Sequence, residues 1–228
     1  MGLGKEYWHD VINVLRDIIP VYDKVNLAIS LGKAKELREK GIQLLLNDNM
    51  FVLDAGSGYG NMTETLLNLK QDAKIIMLDP IPEMLMLAKE RFANIPKISG
   101  VFEHIPFDDN TFTSIMCGYS FRDAISYSKA IEEFARVLKD DGRLVIVDIG
   151  KPDNILFRLG VGFYLRFLMP LLAFLVAGRL GLKFKEIYGT WKSLPKNKDM
   201  IKLLETKFRR VEMHSMLFGG AVIFIAYK

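Results

Sequence analysis

Residues 51–66, FVLDAGSGYGNMTETL, place closely spaced glycines at the end of an apolar strand pattern. Gly56, Gly58 and Gly60 stand where that strand gives way to a helix, although glycine weakens both kinds of element. Such a cluster indicates that the backbone approaches a ligand closely. Two acids accompany it, Asp54 before the loop and Asp79 at the end of the next strand pattern. A carboxylate at the second position can accept both hydroxyls of a ribose.

The spacing of the loop bears on which ligand it binds. Dinucleotide sites use G-x-G-x-x-G, so that a pyrophosphate rests on a helix N-terminus, and here the third glycine of that motif would fall on Asn61. An acid beside the loop repels a pyrophosphate and suits a cationic amino group. S-adenosylmethionine carries such a group and a ribose, so it is the predicted cofactor. A nicotinamide or flavin cofactor and a tight turn without any ligand are the alternatives.

The elements that position these residues alternate along the chain. Strand patterns precede or follow helical patterns throughout the middle of the sequence, which favours a parallel sheet covered on both faces. The predicted strands are 50–55, 73–79, 97–103, 112–120 and 142–150, and the predicted helices are 5–19, 22–46, 61–69, 82–92 and 126–138. Two last strands, 208–216 and 219–228, are joined by a very short turn and must be antiparallel. The prediction is a doubly wound α/β sheet of about seven strands, mostly parallel, with a C-terminal antiparallel hairpin.

At this point the sequence resembles a known family. VLDAGSGYG followed by LDPIPEML is similar to the class I S-adenosylmethionine-dependent methyltransferases, whose fold is Rossmann-like. The segments PFDDNTFTSIMCGYSFRD, AIEEFARVLKDDGRLVIVDIGKP, YDKVNLAISLG and GGAVIFIAYK resemble the ubiquinone/menaquinone biosynthesis C-methyltransferases. The resemblance covers nearly the whole chain from Pro20. It implies C-methylation of a polyprenylated quinol ring. A methyltransferase for another lipid or small molecule, or a non-catalytic cofactor-binding scaffold, are the alternatives.

The resemblance also implies a cofactor site, built from the loop and the strand ends. Its residues are Asp54, Gly56 and Gly58 at the methionine end, Thr63 beneath them, Asp79 at the ribose, Met84 near the adenine, Val101 and Phe102 at the adenine edge, and Gly118 after the fourth strand. Family members often have Asp or Asn where this chain has Val101, whose side chain cannot accept from the adenine amino group. Backbone groups or Glu103 would then make that contact.

Arg122 and Asp123 follow the fourth strand, which points at the reaction centre in this fold. In the enzymes that the chain resembles, this arginine lies beside the aromatic acceptor, where a fixed positive charge stabilises a phenolate. A carboxylate, or a water that it holds, can take the ring hydroxyl's proton. Tyr22 belongs to a helical segment expected to fold over the cofactor as a lid. The alternatives are a surface Arg–Asp pair that caps the next helix, and an ordinary helix start at Tyr22.

The chain departs from the family at two places that bear on the acceptor. The family's His-Arg-x-Trp-Lys segment appears here as Ala34, Lys35, Leu37 and Arg38, which keeps two basic residues and loses the histidine and the tryptophan. Near residue 190 the family's Tyr-Leu-x-x-Ser becomes the longer YGTWKS. The identity of the acceptor therefore follows less directly from the resemblance than the cofactor does.

The most apolar stretch is 155–178, ILFRLGVGFYLRFLMPLLAFLVAG. Arg158 and Arg166 interrupt it, and the uncharged remainder is shorter than the roughly 20 residues that span a bilayer. A buried or substrate-covering helix and a helix that meets a membrane surface or a lipid substrate are the two interpretations. The organisation predicted for residues 1–228 is one domain, with a helical lid (1–46), a cofactor-binding core (47–150), an apolar insertion over the acceptor site (151–195), and a C-terminal helix and hairpin (196–228).

Composition limits the remaining classes. The net charge is +4 and the basic residues are dispersed, so a nucleic-acid partner is not expected. A single cysteine, Cys117, permits no internal disulfide and indicates a reducing compartment, and its apolar strand favours core packing over nucleophilic chemistry. The three histidines show no metal-ligand spacing, and no metal is expected. We expect a cytoplasmic protein at or near the inner face of the membrane, with a lipophilic small-molecule acceptor. Whether it forms a homodimer stays open.

Overall fold

The computed structural model describes residues 1–30 and 32–228. Within them, seven strands alternate with helices and form one sheet. The strands are β1 (Phe51–Ala55), β2 (Lys74–Asp79), β3 (Lys97–Ser99), β4 (Phe112–Gly118), β5 (Leu138–Ile149), β6 (Arg210–Met216) and β7 (Ala221–Tyr227). The α-helices are α1 (Lys5–Ile18), α2 (Tyr22–Ile29), α3 (Lys33–Leu45), α4 (Asn61–Leu69), α5 (Pro82–Arg91), α6 (Tyr127–Val137), α7 (Ile155–Phe163), α8 (Met169–Ala177), α9 (Glu186–Ser193) and α10 (Asn197–Leu204).

The order of the strands confirms the predicted fold class. It runs β3-β2-β1-β4-β5-β7-β6, with β1 to β5 parallel to their neighbours and β7 antiparallel to both β5 and β6. The chain builds outward from β1 to β3, then returns to place β4 on the other side of β1. That reversal opens a crevice at the carboxyl ends of β1 and β4, where ligands of doubly wound sheets bind.

Apolar side chains alternate between the two faces of the sheet, as the two-residue period of a strand requires. On β5, Val145 and Val147 belong to the core that α3, α4 and α5 cover. Leu144 and Ile146 belong to the opposite core, which includes buried residues of α6, α9 and α10. Burial on both faces explains why the strand patterns read as continuous apolar runs and why they favoured a parallel sheet.

Two strands differ from the prediction by four residues at one end, more than any other strand. The third was predicted over 97–103, whereas β3 ends at Ser99 and the chain turns through a single bridge between Val101 and His104. A side chain at Gly100 would meet Leu78, so the backbone passes close to β2 at this turn. β5 begins at Leu138, before the predicted residue 142, because pairing with β4 already starts at Phe112 and resumes at Ser114 after an irregular step.

The apolar stretch 155–178 was predicted as one helix, and the structure interrupts it. A π-helical turn, Tyr164–Leu168, separates α7 from α8, and a 3-10 segment, Gly178–Lys185, leads on to α9. Pro170 in the first turn of α8 explains the π turn, because proline lacks the N–H that the preceding turn needs. By length and composition alone, the helical run Ile155–Ser193 would suffice to cross a membrane.

The N-terminal helices pack against this apolar segment. Ile18 of α1 and Val25 of α2 form a small separate core with Ala173 of α8 and Phe184 of the 3-10 segment. The N-terminal residues and the segment between the fifth and sixth strands therefore meet each other and enclose one side of the crevice.

Candidate active site

A cavity of about 540 Å³ opens at the carboxyl ends of β1, β2, β4 and β5. A second cavity of about 50 Å³ lies beside it, and both are lined by Gly56, Asp79 and Asp123. The larger one is lined mainly by apolar side chains of α2, α3, α7 and the turn between β6 and β7. The position is the one that a doubly wound sheet offers to a ligand.

The glycine loop fixes the wall of this cavity. Gly56 has a φ of 67°, and a Cβ there would meet the side chains of Ser120 and Phe102, so no other residue fits without displacing them. Gly58 has a φ of 54° and open space where a Cβ would project. Both conformations favour glycine. The loop therefore leaves room for a ligand at Gly58 and packs tightly behind it at Gly56.

Asp79 lies at the junction of the two cavities and is 6% exposed. Its carboxylate accepts hydrogen bonds from the backbone N–H of Gly58 at 2.8 Å and of Ile81 at 2.9 Å. Burial raises its pKa to about 6, although these two donors oppose the rise. The loop is thus held to β2 by the carboxylate that was predicted to hold a ribose.

Asp54, which was predicted at the methionine end of the cofactor, is not among the residues that line either cavity. It is fully buried behind the loop, where Oδ2 accepts from the hydroxyl of Thr63 at 2.7 Å and from its N–H at 3.2 Å. Burial raises the pKa of Asp54 to about 7, and its buried Oδ1 has no partner. Thr63 lies beneath the loop. Asp54 is buried because it belongs to β1, an otherwise apolar strand in the interior of the sheet.

The other predicted cofactor residues divide between the two cavities. Met84 and Gly118 line the larger one, and Val101 and Phe102 line the smaller one together with Trp8 of α1. Glu103 also lines the smaller cavity, but its Oε1 accepts from the N–H of Ser126 at 2.8 Å. One oxygen of this carboxylate is therefore engaged in holding the start of α6.

Arg122 and Asp123 are not a surface pair. Both line the larger cavity, and Arg122 is 5% exposed. The Arg122 guanidinium donates to Asp148 Oδ1 at 2.7 Å and to the carbonyl of Tyr119 at 2.5 Å, and its Nε is 3.7 Å from Asp123 Oδ1. One buried cation thus faces the buried carboxylate of Asp148 and the partly buried carboxylate of Asp123.

Asp123 has the electrostatic character of a proton acceptor. Burial raises its pKa to about 6, the Arg122 charge opposes that rise, and Asp148 adds to it. A base whose pKa lies near the working pH is effective, because it is ionised and still binds a proton readily. Asp123 also lines both cavities, which places it beside any ligand that occupies either of them.

Tyr22 begins α2 and lines the larger cavity. Burial raises the pKa of its hydroxyl, while the nearby Arg122 charge lowers it. The next residue, Asp23, accepts a hydrogen bond from the hydroxyl of Tyr59 in the glycine loop. The predicted lid helix is therefore tied to the loop, with Tyr22 on the cavity side.

Two charged residues at the site were missed by the sequence interpretation. Asp148 ends β5 and pairs with Arg122, which follows the adjacent strand β4. The sequence contained a signal for Asp148, because it is a charged residue at the end of an apolar strand and the adjacent strand end precedes an arginine. Arg38 of α3 lines the cavity. The sequence signal for Arg38 was that a basic residue is kept in a segment that otherwise departs from the family.

Cys117 packs in the core, as its apolar strand predicted. Cys117 is fully buried in β4, its Sγ lies 3.2 Å from Ser120 Oγ, and burial raises its pKa, which leaves it unreactive. Among the described residues, no group of three or more His, Cys, Asp or Glu side chains could hold a metal ion.

The sheet order, the glycine loop at the end of β1 and the buried acid at the end of β2 define the class of protein: a class I S-adenosylmethionine-dependent methyltransferase. A SAM-dependent methyltransferase from Thermotoga maritima has a similar fold, with a TM-score of 0.64, 18% identity, and coverage of 97% of this chain and 99% of that one.

The sequence comparisons give the family. The profile of the ubiE/COQ5 methyltransferase family matches residues 2–228, and the chain belongs to that family. It is 29% identical to the ubiquinone/menaquinone biosynthesis C-methyltransferase UbiE of Campylobacter jejuni, over 96% of this chain and 97% of that protein. It is 27% identical to the demethylmenaquinone methyltransferase of Oceanobacillus iheyensis, over 100% of this chain and 99% of that protein. The protein is an enzyme, and S-adenosylmethionine is its cofactor.

The residues present fit that cofactor. The open space at Gly58 adjoins Asp79, whose carboxylate can accept from ribose hydroxyls, and the smaller cavity beyond Asp79 is lined by the apolar Ile81, Val101 and Phe102. Apolar walls of this kind suit the faces of an adenine ring. Asp54 lies buried behind the loop with Oδ1 unpartnered, and a cationic ligand on the other side of the loop would favour its ionised form.

Asp79→Ala is expected to weaken S-adenosylmethionine binding by roughly 10- to 100-fold, because a charge-assisted hydrogen bond contributes about 1.5–3 kcal/mol. Isothermal calorimetry measures the loss. Asp79→Asn, which keeps one acceptor oxygen, should fall between wild type and Asp79→Ala, and the exposed Asp72→Ala serves as the control. Unchanged affinity in a folded Asp79→Ala protein, or tight NADH binding by the wild type, would contradict the assignment.

Proposed function

We propose that this enzyme C-methylates the ring of a polyprenylated quinol in biosynthesis of the ubiquinone or menaquinone type. The observation that carries the proposal is the polarity of the larger cavity. Its inner end holds Arg122, Asp123 and Tyr22, whereas Phe157 and Phe218 line its outer part. A polar ring with an apolar tail matches that division. The names of the relatives, one a ubiquinone/menaquinone biosynthesis C-methyltransferase and the other a demethylmenaquinone methyltransferase, support the same acceptor.

The outer part of the cavity opens between apolar side chains that are also on the surface. Leu156 and Phe157 of α7 face the turn between β6 and β7, where Leu217 and Phe218 are 64% and 76% exposed. The rings of Phe157 and Phe218 stack with centroids 4.6 Å apart. An opening of this kind suits an isoprenoid tail that leaves the protein while the ring stays inside.

The chemistry asks for a nucleophilic ring carbon. When bound, S-adenosylmethionine supplies an electrophilic methyl group on a sulfonium, a leaving group that needs no metal activation. Asp123 takes the proton of a ring hydroxyl as that O–H bond breaks, and the electron pair stays on the oxygen and is shared with the ring carbon that will bear the methyl group. After the methyl group has bonded to that carbon, the proton on the carbon leaves to solvent and its electron pair restores the aromatic ring, while the ring oxygen recovers the proton held by Asp123.

Arg122 and Tyr22 support that proton transfer without taking the proton. The Arg122 charge opposes the effect of burial on Asp123, so the carboxylate stays ionised at neutral pH and can act as a base. The predicted role of Arg122 as the charge that stabilises the phenolate stays a prediction. Tyr22 contributes a hydroxyl of raised pKa, which donates a hydrogen bond and remains neutral. The lid that carries it keeps water from the reacting atoms.

We also propose that the enzyme is cytoplasmic and binds the membrane surface through α7 and α8. Most of their apolar side chains are exposed, with Leu156 at 73% and Leu175 at 72%. Residues 154–185 contain five arginines and lysines and no acidic residue. An apolar face with only basic charges near it matches an anionic bilayer, in which an acceptor with a polyprenyl tail resides.

Leu171→Glu with Leu175→Glu is expected to lower the fraction of protein that sediments with vesicles of phosphatidylglycerol and phosphatidylcholine by at least about tenfold. Each leucine contributes about 1.5–3 kcal/mol on burial in an apolar medium, and a glutamate opposes insertion. The two residues lie four apart on α8 and share one face. Leu69→Glu with Met86→Glu, exposed positions on α4 and α5, is the matched control. Wild type that stays in the supernatant, with or without a prenylated quinol, would contradict membrane binding.

A further inference from the structure

Arg38 is a cation in the larger cavity that the mechanism above does not use. It lies on α3 and lines the cavity, and its Nε is buried without a hydrogen-bond partner. Residues 1–30 and 32–228 provide no salt bridge to its guanidinium. The contact that the structure shows is with an aromatic ring, since the guanidinium carbon lies 5.8 Å from the ring centroid of Tyr119.

The other two cations that line this cavity each have a carboxylate partner. Lys33 pairs with Glu36 at 2.8 Å in an exposed ion pair on the same helix, and Glu36 also pairs with Lys40. Arg122 pairs with Asp148 at 2.7 Å and lies 3.7 Å from Asp123. That buried group carries one positive and two negative charges when both acids are ionised, so it offers no excess positive charge to an anionic ligand.

Tyr119 places Arg38 on the same side of the cavity as the proposed base. It directly follows β4, with a left-handed φ of 59°, and its carbonyl accepts from Arg122. The Arg38 and Arg122 charges both act on the hydroxyl of Tyr22, opposing the effect of burial. Arg38, Tyr22 and Arg122 therefore surround one region of the cavity.

When a ring hydroxyl gives its proton to Asp123, the negative charge moves from the carboxylate to the ring oxygen. The total charge is conserved, but it now rests on a group that needs a partner of its own. A guanidinium suits this, because it is always protonated and offers several donors in a plane. We propose that Arg38 binds the deprotonated ring oxygen of the acceptor and is the catalytic residue that stabilises this oxyanion. The inference rests on the proposed function.

The test uses Arg38→Gln, which keeps most of the side-chain length and loses the charge, with Arg38→Lys as the conservative variant and the exposed Lys40→Ala as the control. With a short-chain prenylated naphthoquinol, Arg38→Gln should lower kcat by about tenfold or more, a smaller effect than the 10²–10³ of a fully enclosed donor because Arg38 is only partly buried. Arg38→Lys should recover part of that loss, while KM for S-adenosylmethionine and the melting temperature stay near wild type.

A second readout separates this inference from the identity of the acceptor. Bound 4-nitrophenol reports its own ionisation by visible absorption, and the wild type should lower its pKa by about one unit, a tenfold shift toward the phenolate. Arg38→Gln should abolish that shift. A nitrophenol shift that depends on Arg38, without turnover of any quinol, would uphold the oxyanion site and contradict the proposed acceptor. No shift in the wild type, or equal shifts and equal kcat in both proteins, would overturn the role of Arg38.

Discussion

Asp123→Asn should lower turnover on a quinol acceptor by about 10² to 10⁴, the range that a positioned general base contributes. The amide is close in size to the carboxyl group but cannot take a proton from the ring hydroxyl. Asp123 lines both cavities and its pKa is raised to about 6, mainly by burial. Steady-state rates of methyl transfer measure the loss. The exposed Asp140→Asn is the matched control.

The pH dependence of the rate provides a second test of Asp123 as the base. A base must be ionised, so wild-type kcat/KM for the acceptor, which reports the groups of the free enzyme, should rise as the pH passes through about 6 and level off above that value. Asp123→Asn should lose this limb of the profile as well as the rate. A variant that keeps both wild-type turnover and the limb near pH 6 would show that another group takes the proton.

Arg122→Ala should lower the free energy of unfolding by about 3–5 kcal/mol, the usual effect of removing one partner of a buried ion pair. The buried Asp148 and the partly buried Asp123 would be left without their cation, although Asp148 Oδ2 still accepts from the N–H of residue 122 at 3.2 Å. Turnover should fall by about 10² or more, because removal of one electrostatic group from an enclosed site has that effect. Urea unfolding and methyl-transfer rates measure the two losses.

Arg122→Lys is the matched variant. It keeps the positive charge, but its shorter side chain does not place an ammonium where Arg122 Nη1 donates to both Asp148 and the carbonyl of Tyr119, so its stability should lie between those of wild type and Arg122→Ala. Affinity for S-adenosylmethionine should change much less than in Asp79→Ala, since the glycine loop and Asp79 are untouched. Wild-type stability in Arg122→Ala would contradict the buried pairing.

The pattern of the sequence was sufficient for the sheet and the cofactor loop. Strand, glycine turn and helix are consecutive in the chain, so Gly56, Gly58 and the helix 61–69 follow from local rules of backbone conformation. Asp79 could be placed because the ends of neighbouring parallel strands meet at one edge of the sheet. The short connection between the last two strands required the antiparallel pairing that the structure has.

Which charges neutralise one another was decided by the tertiary structure. Arg122 and Asp148 are 26 residues apart and meet because β4 and β5 are adjacent and parallel. Asp54 was predicted at the methionine end of the cofactor, and the tertiary structure directs its side chain behind the loop to Thr63, since pleating sends successive side chains to opposite faces. Neither outcome can be read from spacing alone.

The sequence by itself determined the class of enzyme, because the cofactor residues lie in short segments whose conformation depends on their neighbours in the chain. Only the tertiary structure decided how the acceptor site is charged and where it opens. Arg38 contacts Tyr119 because α3 packs against the sheet, and Phe157 of α7 stacks on Phe218, which lies in the turn between β6 and β7. Contacts of this kind arise from the packing of whole elements, which fixes distances that no local pattern contains.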